Sequence, residues 1–146
     1  MPNISRNFSL HEFACRCDCN IVFKVDPKLV KILQSIRNSV GVGIRISSGA
    51  RCALHNAKVS PAYARTSWHI PRRGTLFASD ITLMDPTQRT PAKIIQLYTL
   101  ADQLDVSGLG LYRGRIHVDT RPMTIFKGHD RARWIDKTWE WKTLTT

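Results

Sequence analysis

Leu109-Gly110-Leu111-Tyr112-Arg113-Gly114-Arg115-Ile116-His117-Val118-Asp119-Thr120 reads as a β-hairpin. Tyr112-Arg113-Gly114-Arg115 supplies the turn, with Leu109 and Leu111 on one arm and Ile116 and Val118 on the other. Side chains alternate faces along a strand, so Ile116 and Val118 point one way while His117 and Asp119 point the other. Apolar burial makes the first pair the core face and presents the second pair together on the opposite one. Ser79-Asp80-Ile81-Thr82-Leu83 repeats the pattern: Ile81 and Leu83 bury, and Asp80 and Thr82 turn away. Two strands thus offer one imidazole and two carboxylates to one surface.

Working outward, Ile44 to Ser47 alternates as a third strand. Between it and Ser79 runs a long polar segment, Ser48 to Phe77, with one short helix expected at Ala53 to Val59. A connection of that length inside a small domain is usually functional. Asp26-Pro27 opens a helix, with Asp to cap the first amides and Pro at the first helical position. Leu29, Ile32, Leu33, Ile36 and Val40 recur at helical spacing, and Gly41 is placed to stop it. Thr90-Pro91 repeats the start signal for a second amphipathic helix carrying Ile94, Ile95, Leu97, Tyr98, Ala101 and Leu104 and ending near Asp105. The fold class is therefore α+β, with helices packed on one face of a small, mostly antiparallel sheet. Residues 1–146 are read as a single domain, and Trp134, Trp139 and Trp141 as packing residues.

Composition narrows the setting. No apolar stretch approaches the roughly 20 residues of a membrane-spanning helix. Met1 to Leu10 lacks the apolar run of a secretory signal, so the expected location is the cytoplasm, or the cell wall after phage-type lysis. The formal net charge is +11, from 22 Lys and Arg against 11 Asp and Glu. Such a surface attracts polyanions: nucleic acid, anionic membrane or an acidic wall polymer. It is also compatible with a merely soluble basic face. Small basic clusters lie at Arg72-Arg73 and Arg131-Arg133, but no helix-turn-helix spacing or aromatic-basic strand motif supports nucleic acid. His55-Asn56 alone is no nuclease motif.

Cys15, Cys17 and Cys19 form one short run and Cys52 stands apart. Three readings stay open: thiols in a reducing compartment, a metal knuckle with His11, or a disulfide from one of the three to Cys52.

His69, at the end of the long polar segment, completes a candidate trio with Asp80 and His117. Two imidazoles and a carboxylate match a catalytic zinc site, which keeps three protein ligands and one open position. Each is otherwise an ordinary hydrogen-bonded surface residue. Ser48-Gly49-Ala50-Arg51, Ser67-Trp68-His69, Ala78-Ser79-Asp80-Ile81 and Ile116-His117-Val118-Asp119, in this order, resemble the zinc D-Ala-D-Ala carboxypeptidase family. That group includes peptidases of bacterial cell walls and many phage endolysins. The opening Phe8-Ser9-Leu10-His11-Glu12-Phe13 and the Cys cluster resemble the start of its small members. The resemblance spans Phe8 to Arg121. It implies a zinc ion (Zn2+) at the sheet surface, bound by His69, Asp80 and His117. It also implies substrate binding by Arg51, whose planar fork suits a carboxylate or carbonyl, with Ser67 adding a hydroxyl.

Two departures stand out. Eleven positions separate His69 from Asp80, more than the family's usual spacing, so Pro71-Arg72-Arg73-Gly74-Thr75-Leu76 reads as an insertion. It either bulges outward or reshapes the mouth of the site. Several relatives carry an acidic general base three residues before the last His, where this chain has Gly114. Asp119 is then the candidate catalytic base, or else the residue that orients a ligand. The expected function is zinc-dependent hydrolysis of an amide in a peptidoglycan stem peptide by a monomer, as a carboxypeptidase or an endopeptidase. The rival readings are a non-catalytic basic module that binds cell wall or nucleic acid, and a retained fold without activity.

Overall fold

The computed structural model describes residues 3–122, 132–137 and 139. In chain order its elements are β1 (Lys24–Val25), α1 (Pro27–Val40), β2 (Ile44–Ser48), α2 (Ala53–Val59), β3 (Thr75–Leu76), β4 (Ala78–Leu83), α3 (Pro91–Asp102), β5 (Gly108–Tyr112), β6 (Arg115–Asp119) and β7 (Ala132–Ile135). Five strands form one sheet in the order β2-β4-β6-β5-β7, and β1 pairs with β3 in a second, two-stranded sheet. Within the larger sheet every pair is antiparallel except β5 with β7. The fold is α+β, with a mostly antiparallel sheet and three α-helices among the described residues.

Alternation sorts the sheet as the sequence implies. Ile44 and Ile46, Ile81 and Leu83, Leu109 and Leu111, and Ile116 and Val118 enter one apolar cluster with Leu29, Leu33 and Ile36 of α1 and Ile94, Leu97 and Ala101 of α3. The opposite face is covered in part: Arg45 and Arg115 are exposed on it, but Asp80, His117 and Asp119 are buried. All six residues of β4 are buried, Asp80 and Thr82 included: His69, from the segment between β2 and β4, contacts Asp80, and the Thr82 hydroxyl donates to the Gly114 carbonyl.

Two local expectations are corrected. Asp26 precedes α1, but its carboxylate does not cap the helix; it accepts a hydrogen bond from the Thr120 hydroxyl at 2.6 Å instead. The α3 helix ends at Asp102, short of Asp105, and the Leu104 amide closes a turn onto the Ala101 carbonyl at 3.0 Å. The segment Pro71 to Leu76 is ordered around a tight turn. Arg72 and Thr75 exchange backbone hydrogen bonds of 2.8 and 3.0 Å around a turn in which Arg73 and Gly74 have φ of 52° and 76°. Thr75–Leu76 then lies beside Lys24–Val25 with Leu76 fully buried. Of the tryptophans, Trp139 is buried in the core, while Trp141 and Arg131 lie outside the described residues.

Candidate metal centre

Strand pairing builds the site. Asp80 on β4 is the direct cross-strand partner of His117 on β6. His69 arrives from the covering segment, where the Arg51 amide donates to its carbonyl at 2.7 Å and its own amide donates to Ser67 Oγ at 3.2 Å. All three side chains are buried. One donor atom from each lies within 4.8 Å of the other two. Residues far apart in sequence therefore meet at one point.

Hydrogen bonding fixes the protons. A carbonyl can only accept, so the 2.8 Å contact between His69 Nδ1 and Gly49 O places the ring proton on Nδ1. His117 Nε2 lies 2.7 Å from Asp119 Oδ2, and that carboxylate already takes two bonds from the Arg121 guanidinium, at 2.8 and 2.6 Å. Asp119 is thus the acceptor and His117 Nε2 the donor. The remaining nitrogens, His69 Nε2 and His117 Nδ1, face the same oxygen, Asp80 Oδ1, at 3.2 and 3.0 Å. With neutral rings three lone pairs converge, an arrangement that requires positive charge between them. Imidazoles whose second nitrogen is tied to a carbonyl or carboxylate are the usual form of histidine metal ligands. Two such nitrogens and one carboxylate oxygen fit zinc and could hold it.

Without a cation a proton takes that role. Burial opposes a charged His117 ring, but its bonds to Asp119 and Asp80 outweigh this and push its pKa up to about 9. Burial also opposes ionisation of Asp80, yet the two imidazoles hold its carboxyl well below the usual range. Its second oxygen, Oδ2, lies 3.7 Å from both Arg51 Nη2 and Arg115 Nε. Arg51 is itself fixed: Nε donates to Ser48 Oγ at 3.1 Å and Nη1 to Asn56 Oδ1 at 3.3 Å.

Asp119 sits behind His117, fully buried. Burial works against its charge, but Arg121 and His117 bring its pKa far below the ordinary carboxylate value. A glycine makes this possible: a Cβ at Gly108, opposite Asp119 on β5, would overlap the carboxylate. Gly110, opposite His117, leaves room in the same way for the Trp134 indole. Trp134 therefore does more than pack; it walls the site, 5.2 Å from the His117 ring, with Nε1 donating to Tyr112 Oη at 2.8 Å.

The centre opens into a cleft of about 750 Å³ whose lining includes Arg51, Ser67, Trp68, Arg115, Arg121 and Asp136. The turn at Arg72 braces one lip. Its guanidinium donates to the carbonyls of Thr66 and Ser67 at 3.1 and 3.2 Å and lies 4.5 Å over the Trp68 ring. This stretch therefore supports the mouth of the cleft. Among the described residues lining the cleft, the carboxylates are Asp80 and Asp136. Asp119 is not one of them. Asp136 was not singled out from sequence; the pairing of β7 with β5, and the bond from its amide to the Leu111 carbonyl at 2.8 Å, bring it there.

Curated proteins and solved structures give no significant match to this chain. A family model does: the one described as Peptidase M15 matches residues 6–119, which take in every element that shapes the centre except β7. By that match over more than half its length, the chain belongs to the M15 peptidases.

Proposed function

We propose that this chain is a zinc-dependent peptidase that hydrolyses an amide bond in the peptide stem of bacterial peptidoglycan. The observation that carries the reading is the convergence of His69, Asp80 and His117 donor atoms at one end of an open cleft in an M15 chain. His69 through Nε2, His117 through Nδ1 and the Asp80 carboxylate would hold the ion. When bound, zinc supplies a Lewis acid that polarises a carbonyl and makes water nucleophilic near neutral pH.

The protein's own groups supply the rest. Arg51, pinned by Ser48 and Asn56, presents a fixed guanidinium to a substrate carboxylate or carbonyl. Ser67 Oγ accepts from the His69 amide, leaving its hydroxyl proton to donate to the same end of the substrate. Asp119 is best suited to orienting His117, since its carboxylate acts through the imidazole and lines no part of the cleft. Asp136, the other carboxylate among the described residues that line the cleft, is the better candidate to take the proton from attacking water and return it to the leaving amine. Arg115 and Arg121 extend the positive wall, which suits stem peptides rich in carboxylates. On this reading the chain acts on the cell wall as a monomer.

Digestion of purified peptidoglycan, with the new termini identified by mass spectrometry, tests the reading and names the bond. Expected are new amino and carboxyl termini within stem peptides, lost on chelation and restored by zinc. Intact stems after prolonged incubation with a zinc-loaded sample would overturn it.

A further inference from the structure

The second cluster of metal-binding side chains lies away from the cleft, and its geometry is set by the N-terminal segment. Ser9 starts a 3-10 turn over Leu10–Phe13, with its amide donating to Glu12 Oε2 at 2.7 Å, and Phe8 and Phe13 are buried. The Ala50 amide donates to the Phe13 carbonyl at 2.8 Å, docking this turn beside the segment that carries Cys52. The Arg16 guanidinium donates to the Ile46 carbonyl at 2.8 Å and holds the following residues against β2. Cys15, Cys17 and Cys19 are thereby brought to Cys52.

The four sulfurs lie within 4.8 Å of one another. Cys15 Sγ is 3.3 Å from Cys17 Sγ, which is 3.5 Å from Cys52 Sγ. All four residues are thiols rather than disulfides. A zinc–sulfur bond of about 2.3 Å gives a tetrahedron with sulfur–sulfur edges of roughly 3.8 Å, inside the range observed here. Two backbone amides already point at the sulfurs: Cys52 N–H at Cys15 Sγ (3.5 Å) and His55 N–H at Cys52 Sγ (3.4 Å). Amide donors of this kind stabilise thiolate ligands. His11 is exposed and is not among the clustered groups, so the fourth ligand is Cys52 and not the nearby histidine.

We propose that Cys15, Cys17, Cys19 and Cys52 form a second metal site that binds one zinc ion through four thiolates, releasing the thiol protons to solvent. Four protein sulfurs close the coordination shell, the mark of a structural rather than a catalytic ion. The ion ties residues 15–19 to Cys52, the neighbour of Arg51. If Arg51 anchors substrate, which rests on the reading above, the ion also steadies that anchor.

Zinc and cobalt binding test this directly. Reduced wild-type protein, loaded with zinc and freed of excess, should hold two ions per chain. His117→Ala should keep one, and Cys17→Ser with Cys19→Ser should keep one. Cobalt in place of zinc should give sulfur-to-cobalt charge-transfer absorption in wild type and His117→Ala but not in the double Cys variant. In zinc-loaded wild type the four thiols should react with a thiol reagent only after chelation, a readout that does not depend on any variant folding. Thiols equally reactive with and without chelator would overturn the proposal, as would iron in place of zinc or cobalt spectra without sulfur bands. Failure of the His/Asp centre would look different: one zinc in wild type, sulfur bands present, and no change in His117→Ala.

Discussion

Along β6 the two faces of the sheet alternate residue by residue. Ile116 and Val118 join the apolar cluster beneath α1 and α3, while His117 and Asp119 lie among Asp80, Arg121 and Trp134. Both faces are buried, but they are held differently. On the apolar face attraction is non-directional and shared among many neighbours, so losing a methyl is felt in proportion to its size. On the polar face the contacts are directional and join named atoms: Gly49 O to His69 Nδ1, Asp119 to His117 Nε2, Arg121 to Asp119. Removing one partner there changes the chemistry of the next. The first face should govern stability in graded steps, and the second should govern activity abruptly.

The hardest test of that division is His117→Ala. It removes one proposed ligand and leaves the Asp119–Arg121 pair intact, so the expected outcome is loss of one zinc and of all measurable stem-peptide hydrolysis, with an unchanged far-ultraviolet circular dichroism spectrum. Hydrolysis that persists would move the active site off this face. Asp136→Asn comes next: kcat should fall by about 10²–10⁴-fold, the usual worth of a positioned acid–base group, with zinc content unaltered. A near-normal kcat would assign the proton to another group. Asp119→Asn should be milder, lowering zinc affinity by about 10–100-fold as loss of a ligand's hydrogen-bond partner does. Undiminished zinc affinity together with a collapse of turnover would restore Asp119 to the role of base.

The apolar face was readable because its signal is local. Period-two alternation in Ser79–Leu83 and Ile116–Asp119 needs no knowledge of partners, and it correctly put Asp80, His117 and Asp119 on one side. What depends on pairing was not readable. Asp26 has the right identity for a cap, yet Thr120, remote in sequence, takes its carboxylate. Whether Asp119 acts on water or on an imidazole depends on how Arg121 folds back, which no spacing records. Ala132–Ile135 shows no clean alternation, so neither Trp134 nor Asp136 declared itself. One further signal does lie in the sequence: glycine at two alternate positions of a strand marks a close approach, and Gly108 and Gly110 mark the places where Asp119 and Trp134 press on the sheet.

Ile116→Val probes the division at its narrowest point. Ile116 is fully buried, directly precedes His117, and pairs with Ile81 on β4 and Leu111 on β5. Shortening it by one methylene should cost about 0.5–1.5 kcal/mol of stability, read as a lower melting temperature of the zinc-loaded protein. Because its side chain points away from the donors, zinc content, kcat and KM should stay at wild-type values. If kcat falls while zinc remains bound, the two faces are mechanically coupled through the β6 backbone. The register of Asp80 against His117 would then owe its accuracy to core packing as well as to the hydrogen bonds of the polar face.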